Sequence, residues 1–598
     1  MTLSTEIKKR SEVSKDDMWN VEALFQSPKV WENEFKALAW EKFLTYKGRL
    51  GEGAPILKEA LETMLDLSRK LERLHTYAHM RHDEEITCDQ FKSDYQKIMS
   101  KYAQFQQDCA WFDPELLALP KATIDSYLKS DILKPYRFFL EKIVRMKPHT
   151  LDEKGEHLLA LSSQALHAVS NAFSSLNNAD IKFHKVKNEK GEELELTHGL
   201  YQLYLRSADR TLRQNAFNEM YSQFTGVENT LCDLLAGQVE GHIFSAKARN
   251  FPSALHAALF PKNIAPAVYE TLISTVRKNL PVLHKYMKLR KKVMGVDELH
   301  LYDIYVPLAT DVDIKMDYLE AEELVIESVA PLGAEYQSIL AQGLKEDRWV
   351  DRFENKSKRS GAYSTGCFDS FPYILMNYRG ILRDVFTLAH EAGHSMHSYL
   401  SHKNQPYQDS HYPIFVAEVA STFNEELLMH LMLEKTTEKR KRFFLINEKL
   451  EDLRATFFRQ TMFAEFELQI HRWVEEGTPL TPKLLKDYYY KLNIDYFGPA
   501  CVIDEVIAVE WSRIPHFYYN FYVYQYATGI SAALALCEKV LSGDEKCRKA
   551  YLAFLSSGGS LFPIDLLKLA GVDMTSSSPV EATIRTFDRL QSELEKLI

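Results

Sequence analysis

The sequence predicts a mainly α-helical chain with a small β-sheet set beside one particular helix. Three observations predict it. Long runs carry apolar residues at three- and four-residue spacing, the mark of helices with one buried face. Turn-forming groups such as Asp113-Pro114 and Lys147-Pro148 cut those runs into pieces. One stretch, 359–378, holds two strand-like pieces around a Ser/Gly/Pro turn and immediately precedes an H-E-x-x-H pattern.

In chain order, 31–47, 57–81, 88–112 and 124–146 read as helices, with a further break at Gly51-Glu52-Gly53. Residues 152–174 continue the pattern. In 177–195, Ile181, Phe183 and Val186 roughly alternate and 188–191 reads as a turn, which predicts a small hairpin. A division near residue 200 follows, into an N-terminal helical domain, 1–200, and a second domain, 201–598. Long helices resume from 206, broken at Phe251-Pro252, Phe260-Pro261 and Leu280-Pro281. The aromatic-rich 299–306 reads as a strand.

Residues 381–400 form a helix apolar over most of its surface, through Ile381, Leu382, Val385, Phe386, Leu388, Ala389, Ala392, Met396 and Leu400. A helix of that kind is buried. Inside it lies His390-Glu391-Ala392-Gly393-His394. Four residues make about one helical turn, so both imidazoles project from the same face and can hold one metal ion. Glu391 stands beside them, within reach of a metal-bound water. Two neutral histidines and a carboxylate base are the chemistry of a zinc hydrolase. Gly393 suits either the close approach of another backbone or simple tolerance of glycine in a helix.

After a polar, turn-rich loop, 401–413, a second helix is predicted over 414–433. Glu418 stands there among Val416, Ala417, Val419 and Ala420, where an unpaired carboxylate is unfavourable. If the loop folds the second helix back on the first, Glu418 becomes the third ligand and leaves the fourth position to water. Otherwise it is a surface glutamate favoured at a helix start. Glu425 lies two turns on, on the same face, and either accepts the free N–H of a ligating histidine or forms a structural salt bridge. His397 is read as a supporting group, because a fourth protein ligand would close the site to water.

Farther on, 516–529 is dense in tyrosine, at 518, 519, 522, 524 and 526. The hydroxyls can bind a developing oxyanion, or the run can be an aromatic core stripe with polar tips. The strand-like pieces of 359–378 either pair with an extended peptide backbone or form a purely structural sheet.

Hydrophobic content is 45%, charged content 26% and net charge −10, ordinary for a soluble globular chain. No Lys/Arg-rich block suggests nucleic acid, and no run of 18 apolar residues suggests a membrane span. Lys8, Lys9 and Arg10 are not followed by an apolar segment, which argues against a secretory signal. Seven scattered cysteines without a C-x-x-C pair suggest free thiols in a reducing cytoplasm.

HEAGHSMH (390–397), FVAEVASTFNE (415–425), HFYYNFYVYQYATG (516–529) and KRSGAYSTG (358–366) together resemble the oligoendopeptidase F family, among the thimet-oligopeptidase-like zinc metallopeptidases. The resemblance extends to the WNVEALF start and to AKARNFPSAL (246–255). It implies two helical lobes around a deep substrate channel with zinc on its floor, and a catalytic domain in 201–598. It implies one Zn2+ per chain, bound by His390, His394 and Glu418, with Glu391 as general base. His516, with Tyr522 and Tyr524, would cover the scissile carbonyl, and Gly361, Ala362 and Tyr363 would contact the peptide backbone. The expected activity is endopeptidase cleavage of short unstructured peptides. Two rivals remain open. One is a dipeptidyl carboxypeptidase of the same superfamily, with Arg379, Arg383 or Arg513 capturing a terminal carboxylate. The other is a non-catalytic helical peptide-binding protein.

Overall fold

Helices dominate the computed structural model, which describes residues 7–309, 312 and 314–598. Residues 1–6, part of the opening stretch read as lacking a secretory signal, lie outside it. The predicted helices recur with shifted ends: Ala54–Glu84, Asp89–Cys109, Glu153–Ser175, Leu382–Asn404 and Ile414–Lys435. Two predicted helices are broken instead. The run 124–146 becomes Lys121–Lys129, a 3-10 turn Asp131–Tyr136 and Arg137–Arg145, because Pro135 cannot donate a backbone hydrogen bond in mid-helix. The run 31–47 becomes Pro28–Ala37 and Glu41–Leu44.

The described strands are β1 (Val186–Lys187), β2 (Glu193–Leu194), β3 (Leu299–His300), β4 (Val350–Asp351), β5 (Tyr363–Thr365), β6 (Tyr373–Leu375) and β7 (Cys501–Val502). β1 and β2 are the predicted hairpin. The strand expected over 299–306 shrinks to β3, paired in parallel with β7 and followed at once by a 3-10 turn, Leu301–Asp303. The two pieces foreseen in 359–378 are β5 and β6, antiparallel, and β4 joins β6 in parallel on its other side. β5 is thus an edge strand. Lys358, buried just ahead of it, donates to the Met376 carbonyl at 2.6 Å and pairs with Asp351 at 2.6 Å, which ties the ends of β4 and β6 together.

Two compact units are built from interleaved stretches. The first comprises Met1–Lys147, Asp313–Met432 and Leu536–Val572; the second comprises Pro148–Val312, Leu433–Ala535 and Asp573–Ile598. In the first, a core of Trp19, Phe25, Trp31, Leu57, Leu71 and Leu74 extends to Cys367, Tyr373 and Leu375 of the sheet region. The helix Leu382–Asn404 packs on β5 and β6 and against Glu545–Ser556.

Gly393 shows what this packing requires. A Cβ built there would lie 2.6 Å from the Ala420 carbonyl oxygen and 2.6 Å from the Ser421 Cα. The two helices therefore touch backbone to backbone, and the glycine is needed for close approach. Gly393→Ala is expected to destabilise the protein by about 1–3 kcal/mol through overpacking, against about 1 kcal/mol regained in helix propensity. Thermal melting checks this, and an unchanged Tm would refute the contact.

Candidate active site

His390 and His394 leave the same face of Leu382–Asn404, their ring centroids 4.8 Å apart. The close crossing at Gly393 brings Glu418 over them. Its Oε2 lies 3.3 Å from His390 Nε2 and 3.7 Å from His394 Nε2. One ligand atom from each residue falls within 4.8 Å of the others, and these three form the one such group among the described residues. Tetrahedral zinc with arms of about 2.1 Å places its ligands about 3.4 Å apart. Two of the three separations lie near that edge and all three lie within 4.8 Å, so these donors can close on a zinc-sized ion with a small side-chain adjustment.

The second ring nitrogen of His390, Nδ1, is hydrogen-bonded to Glu425. That leaves Nε2 toward Glu418, as a ligating histidine with an oriented ring requires. Burial alone would lower the His390 pKa, but bonds to Glu418 and Glu425 raise it well above the usual histidine value. The Glu418 carboxyl is held down at about 2, first by its bond to His390. Burial, with His390 nearby, lowers His394 to about 4, so its imidazole is neutral and ready to ligate.

Glu391 is 7% exposed, and burial pushes its carboxyl up to about 7. Glu418 and Glu425 push the same way, while His390 and the Ser364 backbone N–H oppose them. Ser364 is the middle residue of β5, and its Oγ lies 2.9 Å from Ser395 Oγ on the motif helix. The edge strand is thereby fastened beside the carboxylate. Of the expected backbone contacts, Tyr363 lies in β5, whereas Gly361 and Ala362 precede it. The Gly361 carbonyl already accepts from Asn377 Nδ2 at 2.7 Å, and the Tyr363 hydroxyl donates to Asp83 at 2.8 Å. His397 stays outside the ligand group, buried, with its ring stacked 3.7 Å from Tyr412.

His516, in the second unit, opens another cluster. Its Nε2 is hydrogen-bonded to the Tyr526 hydroxyl at 3.2 Å, and its ring runs parallel to that of Tyr522 at 6.4 Å. Tyr524 is not part of this cluster. It is 1% exposed, with its ring 4.9 Å from Tyr269, because the helix that begins at Tyr524 turns this residue into the core. Tyr526, two residues on, is the tyrosine bonded to His516. The preceding loop holds two successive non-glycine residues at positive φ, Asn520 at 46° and Phe521 at 58°. The Phe521 N–H donates to Glu467 Oε1 at 2.7 Å, which pins this unusual conformation. Glu467 is fully buried, and burial raises it to about 8. In sequence it is one of two glutamates, with Glu465, in the run FAEFELQI (463–470), and nothing local tells the two apart.

Residues 203–586 match the model of a family described as Peptidase family M3, and residues 115–183 match that of Oligopeptidase F. Over 598 residues the chain is 45% identical to Oligopeptidase PepF of Bacillus subtilis, covering 100% of this chain and 89% of that one. It is 40% identical to Group B oligopeptidase PepB of Streptococcus agalactiae, over 98% of each. Among solved structures, oligoendopeptidase-F from Enterococcus faecium superposes with a TM-score of 0.72 at 37% identity, over 95% of this chain and 97% of that one.

Proposed function

The chain belongs to peptidase family M3, and from that premise we propose that it is a zinc-dependent oligoendopeptidase acting on short, unstructured peptides. One observation carries the reading: the buried Glu391 stands beside His390 on the helix whose two imidazoles, with the Glu418 carboxylate, bring three donor atoms within 4.8 Å of one another. His390, His394 and Glu418 hold the ion, and Glu425 orients His390. A divalent ion bound there supplies Lewis acidity, acidifying a water molecule and polarising the scissile carbonyl. Glu391 takes the proton of the attacking water at its carboxylate and returns it to the leaving amine. Ser364 holds that carboxylate at the strand edge, where the peptide backbone is proposed to lie along β5. His516 and Tyr522 are proposed as donors to the substrate, with Tyr526 anchoring the imidazole.

A boundary near 200 is proposed between an N-terminal helical domain, 1–200, and a catalytic domain, 201–598; the two family matches fall on either side of it. Cytoplasmic residence is proposed on the seven free cysteines. No helix among the described residues is long and apolar enough to cross a membrane.

Mass spectrometry of digests of graded peptides, with free and blocked ends, tests the activity. Internal cuts in C-terminally blocked peptides are expected. Release of C-terminal dipeptides alone would favour the carboxypeptidase instead. Of the arginines such an enzyme needs, Arg379 already pairs with Asp384 at 3.3 Å and Arg513 lies over the Tyr201 ring at 5.1 Å. No cleavage by zinc-loaded protein would leave a peptide-binding role.

A further inference from the structure

A cavity of about 240 Å³ opens in the first unit, lined among others by Glu72, Thr365, Phe371, Ser398, His402 and His411. Two paths lead to it from the catalytic groups. Along the motif helix, Ser398 and His402 follow His394 one and two turns on, at about 6 Å per step. Along the sheet, Thr365 is the next residue after Ser364, whose N–H bonds Glu391. Strand residues rise about 3.4 Å each, so the cavity begins within a few ångströms of the strand position facing the base.

The lining has a definite charge. Glu72 is its one acidic residue, and it contains no lysine or arginine. Burial lowers His402 to about 4, and burial raises the Cys367 thiol to about 11, so both are neutral. His411 Nε2 lies 3.5 Å from Glu72 Oε1, and the Tyr407 hydroxyl is hydrogen-bonded to the same carboxylate. Phe371 and Pro372 supply apolar wall for an aliphatic stem.

We propose that this cavity is a specificity subsite that takes a lysine or arginine side chain of the peptide, with Glu72 as its counter-charge. The inference rests on the peptidase reading above. An extended peptide along β5 presents side chains to one face every two residues, about 6.8 Å. The cation therefore belongs about two residues from the residue at the cleaved bond.

The test uses full-length, zinc-loaded enzyme and peptides of one length, blocked at both ends. Each carries Lys, Arg, norleucine or Glu at a single position within three residues of the cut. At one position, Lys and Arg are expected to raise kcat/KM about tenfold over norleucine, with Glu below it. Glu72→Gln should bring the Lys-to-norleucine ratio to about one, and Glu72→Lys should invert the order in favour of Glu. Absence of a basic preference at every position in the wild-type enzyme would overturn the proposal, as would an undiminished preference in Glu72→Gln. The wild-type series stands even if a variant fails to fold. A matched series with free N-termini is run beside it, and a gain seen only there would assign the cavity to a terminal ammonium and overturn the side-chain assignment. Cleavage of no peptide at all would overturn the peptidase reading and this inference with it.

Discussion

Glu391→Gln is expected to lower kcat by about 10⁴-fold, the upper range for a general base, while the protein still binds one zinc ion per chain. The amide keeps the side chain's size and its place beside the Ser364 N–H, but it cannot accept a proton. No other carboxylate near the described ligand group can stand in as base, since Glu418 faces both imidazoles and Glu425 is bonded to His390. His516→Ala should cost less, about a hundredfold, as expected for the loss of one substrate donor. The pH profile separates the two. A base acts only when ionised, so wild-type activity must rise with pH through the Glu391 pKa. That value is about 7 without metal, and a nearby cation favours the anion, so the acid limb of the loaded enzyme falls below 7. His516→Ala should keep this limb and Glu391→Gln should lose it. Metal analysis and steady-state kinetics suffice, and a Glu391→Gln enzyme with a tenth of normal activity would end the assignment.

Glu418→Ala is expected to lose metal and activity together. Structural zinc sites are worth about 10–16 kcal/mol in all, so one of four positions represents roughly 3–4 kcal/mol, or 10²–10³-fold in affinity. Glu425→Gln removes only the partner of His390 and should cost about 10–100-fold. Competition against a chromogenic chelator orders wild type, Glu425→Gln and Glu418→Ala. Wild-type affinity in Glu418→Ala would sink the ligand set. The reasoning is geometric: Oε2 of Glu418 stands 3.3 and 3.7 Å from the two imidazole nitrogens, and no neighbouring carboxylate among the described residues shares that position.

Helices were the most legible part of the chain, because a buried face writes a three-to-four residue rhythm that needs only local sequence. The residues proposed as ligands could be picked out for the same reason. His390 and His394 obey helical spacing, and Glu418 betrays itself as a charge among Val416, Ala417 and Val419. What stayed hidden depends on distant residues or on exact phase. Tyr522, Tyr524 and Tyr526 look equivalent until the start of a helix at Tyr524 fixes which way each one points. Glu467 meets Phe521 across 54 residues, and no local pattern announces that bond. Gly393 was ambiguous alone and became decisive only with the Ala420 carbonyl against it. Interleaved units are equally invisible to a reading that moves along the chain, which found one division near residue 200.

That interleaving bears on how the protein is made. The helix bearing the two histidines is covered by Glu545–Ser556, where Phe554 approaches the His397 ring to 5.4 Å and the Ser556 carbonyl accepts from Gln405 across 151 residues. A chain emerging from the ribosome therefore displays both ligand helices well before it has synthesised their cover. Until residues 545–556 have been made, the apolar back of that helix waits without its partner, in an interval when aggregation and chaperone capture compete with folding. The histidines can meet Glu418 early, but the platform beneath them is completed only near the end of synthesis.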